Sequence, residues 1–169
     1  NPLILLLADI AAEKGLPVVV HMEAVTEDYL LPKVWSARTP NNPESLPENI
    51  RAFKTLLAHN RKTRFVWTSA GWDNTGMRTV ALTRNLLKQN PNLFMSIRID
   101  GLGELATRPV DNRQRLKADW LACFEEFSDR FMIGTDFNAD YDGTIASYRK
   151  GLLPRLTPAT LRKVAHENA

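Results

Sequence analysis

The chain has 169 residues, enough for one domain, with 44% hydrophobic and 24% charged residues, a balance that excludes a disordered or collagen-like chain. Its 22 Lys and Arg are interspersed with 19 Asp and Glu, for a net charge of +3; no basic block or aromatic RNA-binding motif stands out, which argues against a nucleic-acid partner. The single cysteine, Cys123, excludes an internal disulfide, and no apolar run nears the roughly 20 residues that span a bilayer.

In chain order, Leu3 to Lys14 reads as a helix stopped by Gly15. Pro17 to Val20 is a short β-branched strand ending at His21, and Glu23 to Glu44 is a long, polar, proline-containing loop. Ser45, with Glu48 as its capping-box partner, predicts a helix over Pro47 to His59. Arg64 to Trp67 is the second strand, running out near Ser69; Ala70 to Gly76 is a loop and Met77 to Gln89 a helix. Leu93 to Ile99 is the third strand, followed by a loop over Gly101 to Asn112 and a helix over Arg113 to Phe127. Phe131 to Ile133 is the fourth strand, ending in Gly134-Thr135-Asp136. Two helices close the chain, Asp142 to Leu153 and Pro158 to Asn168, the second entered through a Thr157-Pro158 cap.

Strand, loop and helix repeated four times predict an α/β chain of parallel βα units. No glycine-rich phosphate loop follows a strand; Gly101-Leu102-Gly103 lacks the third glycine of a dinucleotide site. The connections after the strands are long and polar, and those before them are tight. A (β/α)8 TIM barrel carries its chemistry in the loops after its strands, and four units are half of one. The expected architecture is therefore a single domain over 1–169, forming the C-terminal half of a TIM barrel. The sequence begins at Asn1 rather than Met, in line with a start inside a larger protein. A half barrel leaves open strand edges and an uncovered apolar inner face, so the upstream half of the barrel or a second copy is expected as a partner.

The four strand ends bring His21, Ser69, Arg98 and Asp136 toward the barrel mouth. A neutral imidazole and a carboxylate placed there suit a divalent metal such as zinc. Arg98 faces the mouth if Ser96 does, and its planar fork suits a substrate carboxylate. Glu23 shares a face with His21, and Trp72 and Asp73 follow Ser69 in a loop that can wall a pocket. His59 and His166 lie on helices away from the strand ends. Cys123 sits on the apolar helix face Leu121-Ala122-Cys123-Phe124, where it reads as core; a buried thiol fits a reducing, cytoplasmic compartment.

The segments Gly15-Leu16-Pro17-Val18-Val19-Val20-His21, Trp67-Thr68-Ser69-Ala70-Gly71 and Asp129-Arg130-Phe131-Met132-Ile133-Gly134-Thr135-Asp136-Phe137, with the closing Leu156-Thr157-Pro158 to His166-Glu167-Asn168-Ala169, together resemble the second half of an amidohydrolase-related metal-dependent hydrolase. The resemblance implies a (β/α)8 barrel that activates water at a divalent metal, with zinc the expected cofactor, to hydrolyse an amide, ester or lactone bond of a small molecule. It implies His21 as the fifth-strand metal ligand, and Asp136 as the eighth-strand ligand and catalytic base. Glu23, Ser69, Trp72, Asp73 and Arg98 are then the candidate substrate-binding residues. The same frame also hosts nonoxidative decarboxylases, and a metal-free binding protein is a third reading. Two departures bear on the metal. Ser69 stands where the family carries a sixth-strand histidine, with Asp73 as the nearby alternative ligand, and the first-strand His-x-His pair lies outside this sequence. The chain alone is accordingly expected to be inactive.

Overall fold

The computed structural model describes residues 1–33, 43–99, 106–135 and 140–169. Four strands, β1 (Pro17–Val20), β4 (Arg64–Ala70), β5 (Leu93–Ile97) and β6 (Phe131–Ile133), form one parallel sheet in the order β1-β4-β5-β6. A two-residue antiparallel ladder, β2 (Tyr29–Leu30) with β3 (Ser45–Leu46), lies within the long connection after β1. The helices are α1 (Pro2–Lys14), α2 (Ile50–His59), α3 (Val80–Gln89), α4 (Ala118–Glu126), α5 (Tyr141–Ser147) and α6 (Pro158–Arg162). Helix α5 widens into a π turn over Tyr148–Leu152, and α6 does so over Lys163–Glu167. Each sheet neighbour is the next long strand in the chain, as repeated βα units require. Among the described residues no helix is long and apolar enough to cross a membrane.

The two faces of the sheet differ. Phe65 and Trp67 of β4 and Leu93, Met95 and Ile97 of β5 are buried against Phe53 and Leu57 of α2, Leu86 and Leu87 of α3, and Trp120, Cys123 and Phe124 of α4. The alternate residues Val66, Thr68, Phe94 and Ser96 are only half covered, and Val19 of edge strand β1 is 63% exposed. On strands a period of two assigns these sets to opposite faces, so the helices pack on one side and leave the other open. Helix α1 closes as expected, with Gly15 at φ 67° in the left-handed region. Its burial is the reverse of what its leucine run suggests. Ala8 and Ala11 face inward, while Leu3, Leu6, Leu7 and Ile10 face out, Leu3 at 71% exposure.

Three helix starts differ from the sequence expectation, each for a local reason. Ser45 pairs in the β2–β3 ladder instead of capping, and α2 begins at Ile50, where Glu48 Oε1 accepts from the Arg51 amide. Helix α3 begins at Val80 because Thr79 takes the cap and accepts from Leu82 N, while the amides of Met77 and Arg78 go to the Asp73 carboxylate. Helix α4 begins at Ala118. Asp111 Oδ1 first accepts from the amides of Arg113 and Arg115, forming a tight turn closed by a Val110–Leu116 bridge. Gly101-Leu102-Gly103 and the residues Asp136 and Phe137 lie outside the described residues.

Polar latches lock the N-terminal end of the sheet. Asn92 is buried, and its Nδ2 donates to the carbonyls of Leu57 (3.1 Å) and Thr63 (3.0 Å), tying the end of α2 to the turns before β4 and β5. Thr63 Oγ1 donates to Ala8 O at 2.7 Å and so brings in α1. Asn168 Nδ2 donates to Ser128 O and Phe131 O, fixing the last turn against the start of β6. Removing one partner of a buried hydrogen bond strands the other. Asn92→Ala is expected to lower stability by about 2–3 kcal/mol, and Asn92→Asp by more because a carboxylate cannot donate to those carbonyls. The midpoint of a urea titration should fall with its slope unchanged.

Candidate functional site

A cleft of about 110 Å³ opens at the C-terminal ends of β1, β4 and β5. His21, Glu23, Ser69, Trp72 and Arg98, all named from the sequence, line it together. Thr68, Asn74 and Arg78, which sequence reasoning did not single out, complete its polar wall. Asp73 follows Trp72 directly but is not part of the lining; it is fully buried behind it. Asp136 lies outside the described residues. His59 is remote from the cleft, at the end of α2, with Nε2 3.0 Å from Asp9 Oδ2. Cys123 is buried in the helix layer, where loss of solvent pushes its thiol up to about 12.

Asp73 organises the rim. Its Oδ1 accepts from Ala24 N at 2.9 Å, in the segment after β1. Its Oδ2 accepts from Met77 N (3.0 Å) and Arg78 N (3.2 Å), ahead of α3. The Thr75 hydroxyl lies between Oδ2 and the Ala24 carbonyl, at 2.5 and 2.6 Å, and shares its one proton between them. With both oxygens engaged, the carboxylate holds two loops together instead of facing a ligand.

His21 is fixed from behind. Its Nδ1 lies 3.0 Å from Thr68 Oγ1, and that hydroxyl is also within 3.3 Å of the Val20 carbonyl. A carbonyl can only accept, so the hydroxyl proton goes to Val20 O and the imidazole donates from Nδ1. That tautomer leaves a lone pair on Nε2, for which the described residues offer no partner. A ring anchored in this way is the arrangement found for metal-ligating histidines. Among the described residues no group of three His, Cys, Asp or Glu side chains is placed to hold a metal. A catalytic zinc normally takes three protein ligands, and the described residues bring no such set together.

The strand end itself is strained. Ser69 has φ 62°, in the left-handed region that a side chain enters at a cost, and the β4–β5 register shifts between Trp67 and Ala70. Ser69 N donates to Ser96 Oγ at 3.3 Å. Gly71, at φ 99°, lets the chain pass against its neighbours: a Cβ there would lie 2.4 Å from Pro109 Cδ and 2.5 Å from the Arg98 carbonyl. Beyond it the Arg98 guanidinium stacks on Trp72, 3.0 Å from the ring centroid. No family model, curated protein or solved structure matches the chain.

Glu23 accepts from the Asn74 amide (2.9 Å) and from Asn74 Nδ2. Burial, reinforced by neighbouring Asp73, outweighs these donors and raises its carboxyl from 4.5 to about 7. The folded chain therefore holds a proton on Glu23 that the unfolded chain releases near 4.5. Between those values the fold binds more protons, so Glu23 makes stability fall as pH rises from about 4.5 to about 7, with no further change above. Gln mimics the protonated side chain at every pH. Chemical denaturation of the wild type and Glu23→Gln, with a chelator present, should show the wild type losing about 1–2 kcal/mol relative to the variant across that window, a figure allowing for solvent screening of a partly exposed group. Parallel pH curves would show that Glu23 titrates normally.

Proposed function

We propose that this chain is the C-terminal half of a (β/α)8 barrel of the amidohydrolase-related type. In this reading its cleft hydrolyses an amide, ester or lactone bond of a small molecule with water activated at a divalent metal, zinc being the expected ion. The observation that carries the reading is His21, which sits at the C-terminal edge of a parallel sheet with Nδ1 anchored by Thr68 and the Nε2 lone pair available. The half-barrel part is supported by the half-covered face running through Val66, Phe94 and Ser96, and by exposed Val19 on an open edge strand. An apolar groove beside that edge, of about 510 Å³ and lined by Ile4, Leu5, Val20, Met22, Phe53 and Leu56, adds further surface for the missing strands and helices to cover.

When bound, the metal supplies water acidified toward neutrality. His21 would be one of its ligands; Asp136 enters as a second ligand and as the proton acceptor on the strength of the resemblance. Thr68 fixes the tautomer of His21. Trp72 and Arg98 form the wall opposite, where stacking keeps the guanidinium at a set height over the ring. Ser69 offers a hydroxyl in place of the family's imidazole and lies within the same cleft.

The test is made on the complete barrel. Zinc content should fall in His21→Ala, with turnover falling as a consequence. Asp136→Asn should retain the fold and its melting temperature but lose at least about 10²-fold in turnover, the scale of a lost general base. Released acid with amine or alcohol marks a hydrolase, and released carbon dioxide marks a lyase on the same frame. Protein that takes up no divalent metal, and whose melt is indifferent to chelator, would instead be a metal-free binding protein and would overturn the reading.

A further inference from the structure

Arg78 is buried with 1% of its surface exposed, yet it lines the cleft. Its guanidinium lies flat on Trp67, 3.6 Å from the ring centroid. Nη1 donates to the Thr68 carbonyl at 2.5 Å. Nε and Nη2 are themselves buried and, among the described residues, have no hydrogen-bond partner. These two nitrogens are neighbours on one edge of the guanidinium plane, and their N–H bonds point the same way. That edge is the fork that receives both oxygens of a carboxylate.

The carboxylates nearby do not fill the fork. Asp73 engages Ala24 N, Met77 N, Arg78 N and the Thr75 hydroxyl, and Glu23 engages Asn74. Burial brings Arg78 down to about 9, and the fields of Asp73 and Glu23 keep it from falling further. A buried cation with one nitrogen tied to the backbone and its other edge unpaired is poised to receive an anion, because leaving such donors unpaired is costly without a ligand. Trp67 below and the Thr68 carbonyl at one end hold the plane still, so little is lost in ordering it when a ligand arrives.

We propose that the cleft binds a small molecule through a carboxylate group seated on the Nε–Nη2 edge of Arg78, with Arg98 on Trp72 as the second cationic wall. This names the ligand class of the site; only the description of that ligand as a substrate rests on the hydrolase reading. The cleft, at about 110 Å³, admits the carboxylate end of a molecule whose remainder extends outward.

The experiment is an NMR titration of the complete protein that carries this chain with benzoate, its neutral isostere benzamide, and inorganic phosphate, followed on the tryptophan indole N–H signals of Trp67 and Trp72. Benzoate should shift these signals saturably and at least about 10-fold more tightly than benzamide, the discrimination expected when buried donors would otherwise go unpaired. Arg78→Lys, which keeps charge but lacks the fork, should weaken benzoate at least about 10-fold, and Arg78→Met should abolish the preference for benzoate over benzamide. Equal binding of benzoate and benzamide, no benzoate binding up to 50 mM (roughly the weakest affinity of interest), or tighter phosphate than benzoate would each overturn the proposal. The wild-type comparisons decide the matter even if a variant fails to fold. Benzoate selectivity in a protein that takes up no zinc would uphold this inference while removing the hydrolase reading, so the two fail separately.

Discussion

The rim of the cleft depends on one buried carboxylate. Asp73 accepts from the segment after β1 and from the segment ahead of α3, and those are the two segments that carry His21, Glu23, Asn74 and Arg78. Without it, the buried amides of Ala24 and Arg78 and the part-buried amide of Met77 would need other acceptors. The same contacts explain why α3 starts late: two amides that would have opened the helix are drawn to Asp73, and Thr79 takes over the cap. The geometry of the site and the geometry of the helix therefore share a cause. A single side chain behind the cleft sets where the cleft-facing groups stand.

Much of the fold was legible because its strands are short β-branched or aromatic runs between tight turns. Val18-Val19-Val20, Phe65-Val66-Trp67 and Leu93-Phe94-Met95 can hardly be read otherwise, and their parallel order follows from the helices between them. The helix starts were less legible, because a side chain from a distant loop competes for the first amides. Composition does not show that Ser45 will pair in a ladder, or that Asp111 will pull Arg113 and Arg115 into a turn. The outward face of α1 shows a related limit. Its leucines signal a surface that wants covering, and the pattern does not say by what.

For the site, the strand-end rule brought His21, Ser69 and Arg98 to one cleft, with Glu23 and Trp72 beside them. It could not separate Trp72 from its neighbour Asp73, because one faces the opening and the other faces the backbone, a distinction made by loop geometry. Arg78 carried no signal at all. Within Gly76-Met77-Arg78-Thr79 it reads as an ordinary charged residue in the first turn of a helix, and only its place on Trp67 with two unpaired donors among the described residues makes it notable. Thr68 was equally silent, since its role is to spend its one proton on Val20 and so choose the tautomer of His21.

Gly71 has a bearing on selectivity. With no room for even a methyl group between it, the Arg98 carbonyl and Pro109, the segment after β4 is wedged against the end of β5, and this side of the cleft has no slack to yield. A close-packed wall transmits a push instead of absorbing it. The opposite lip, where Met22 and Glu23 leave the sheet, is held by hydrogen bonds instead, from Trp67 Nε1 to Met22 O and from Asn49 Nδ2 to Glu23 O. A molecule entering the cleft would thus meet one wall set by close packing at Gly71 and another set by polar ties, so the thickness of the part that enters would matter more than the length of what stays outside.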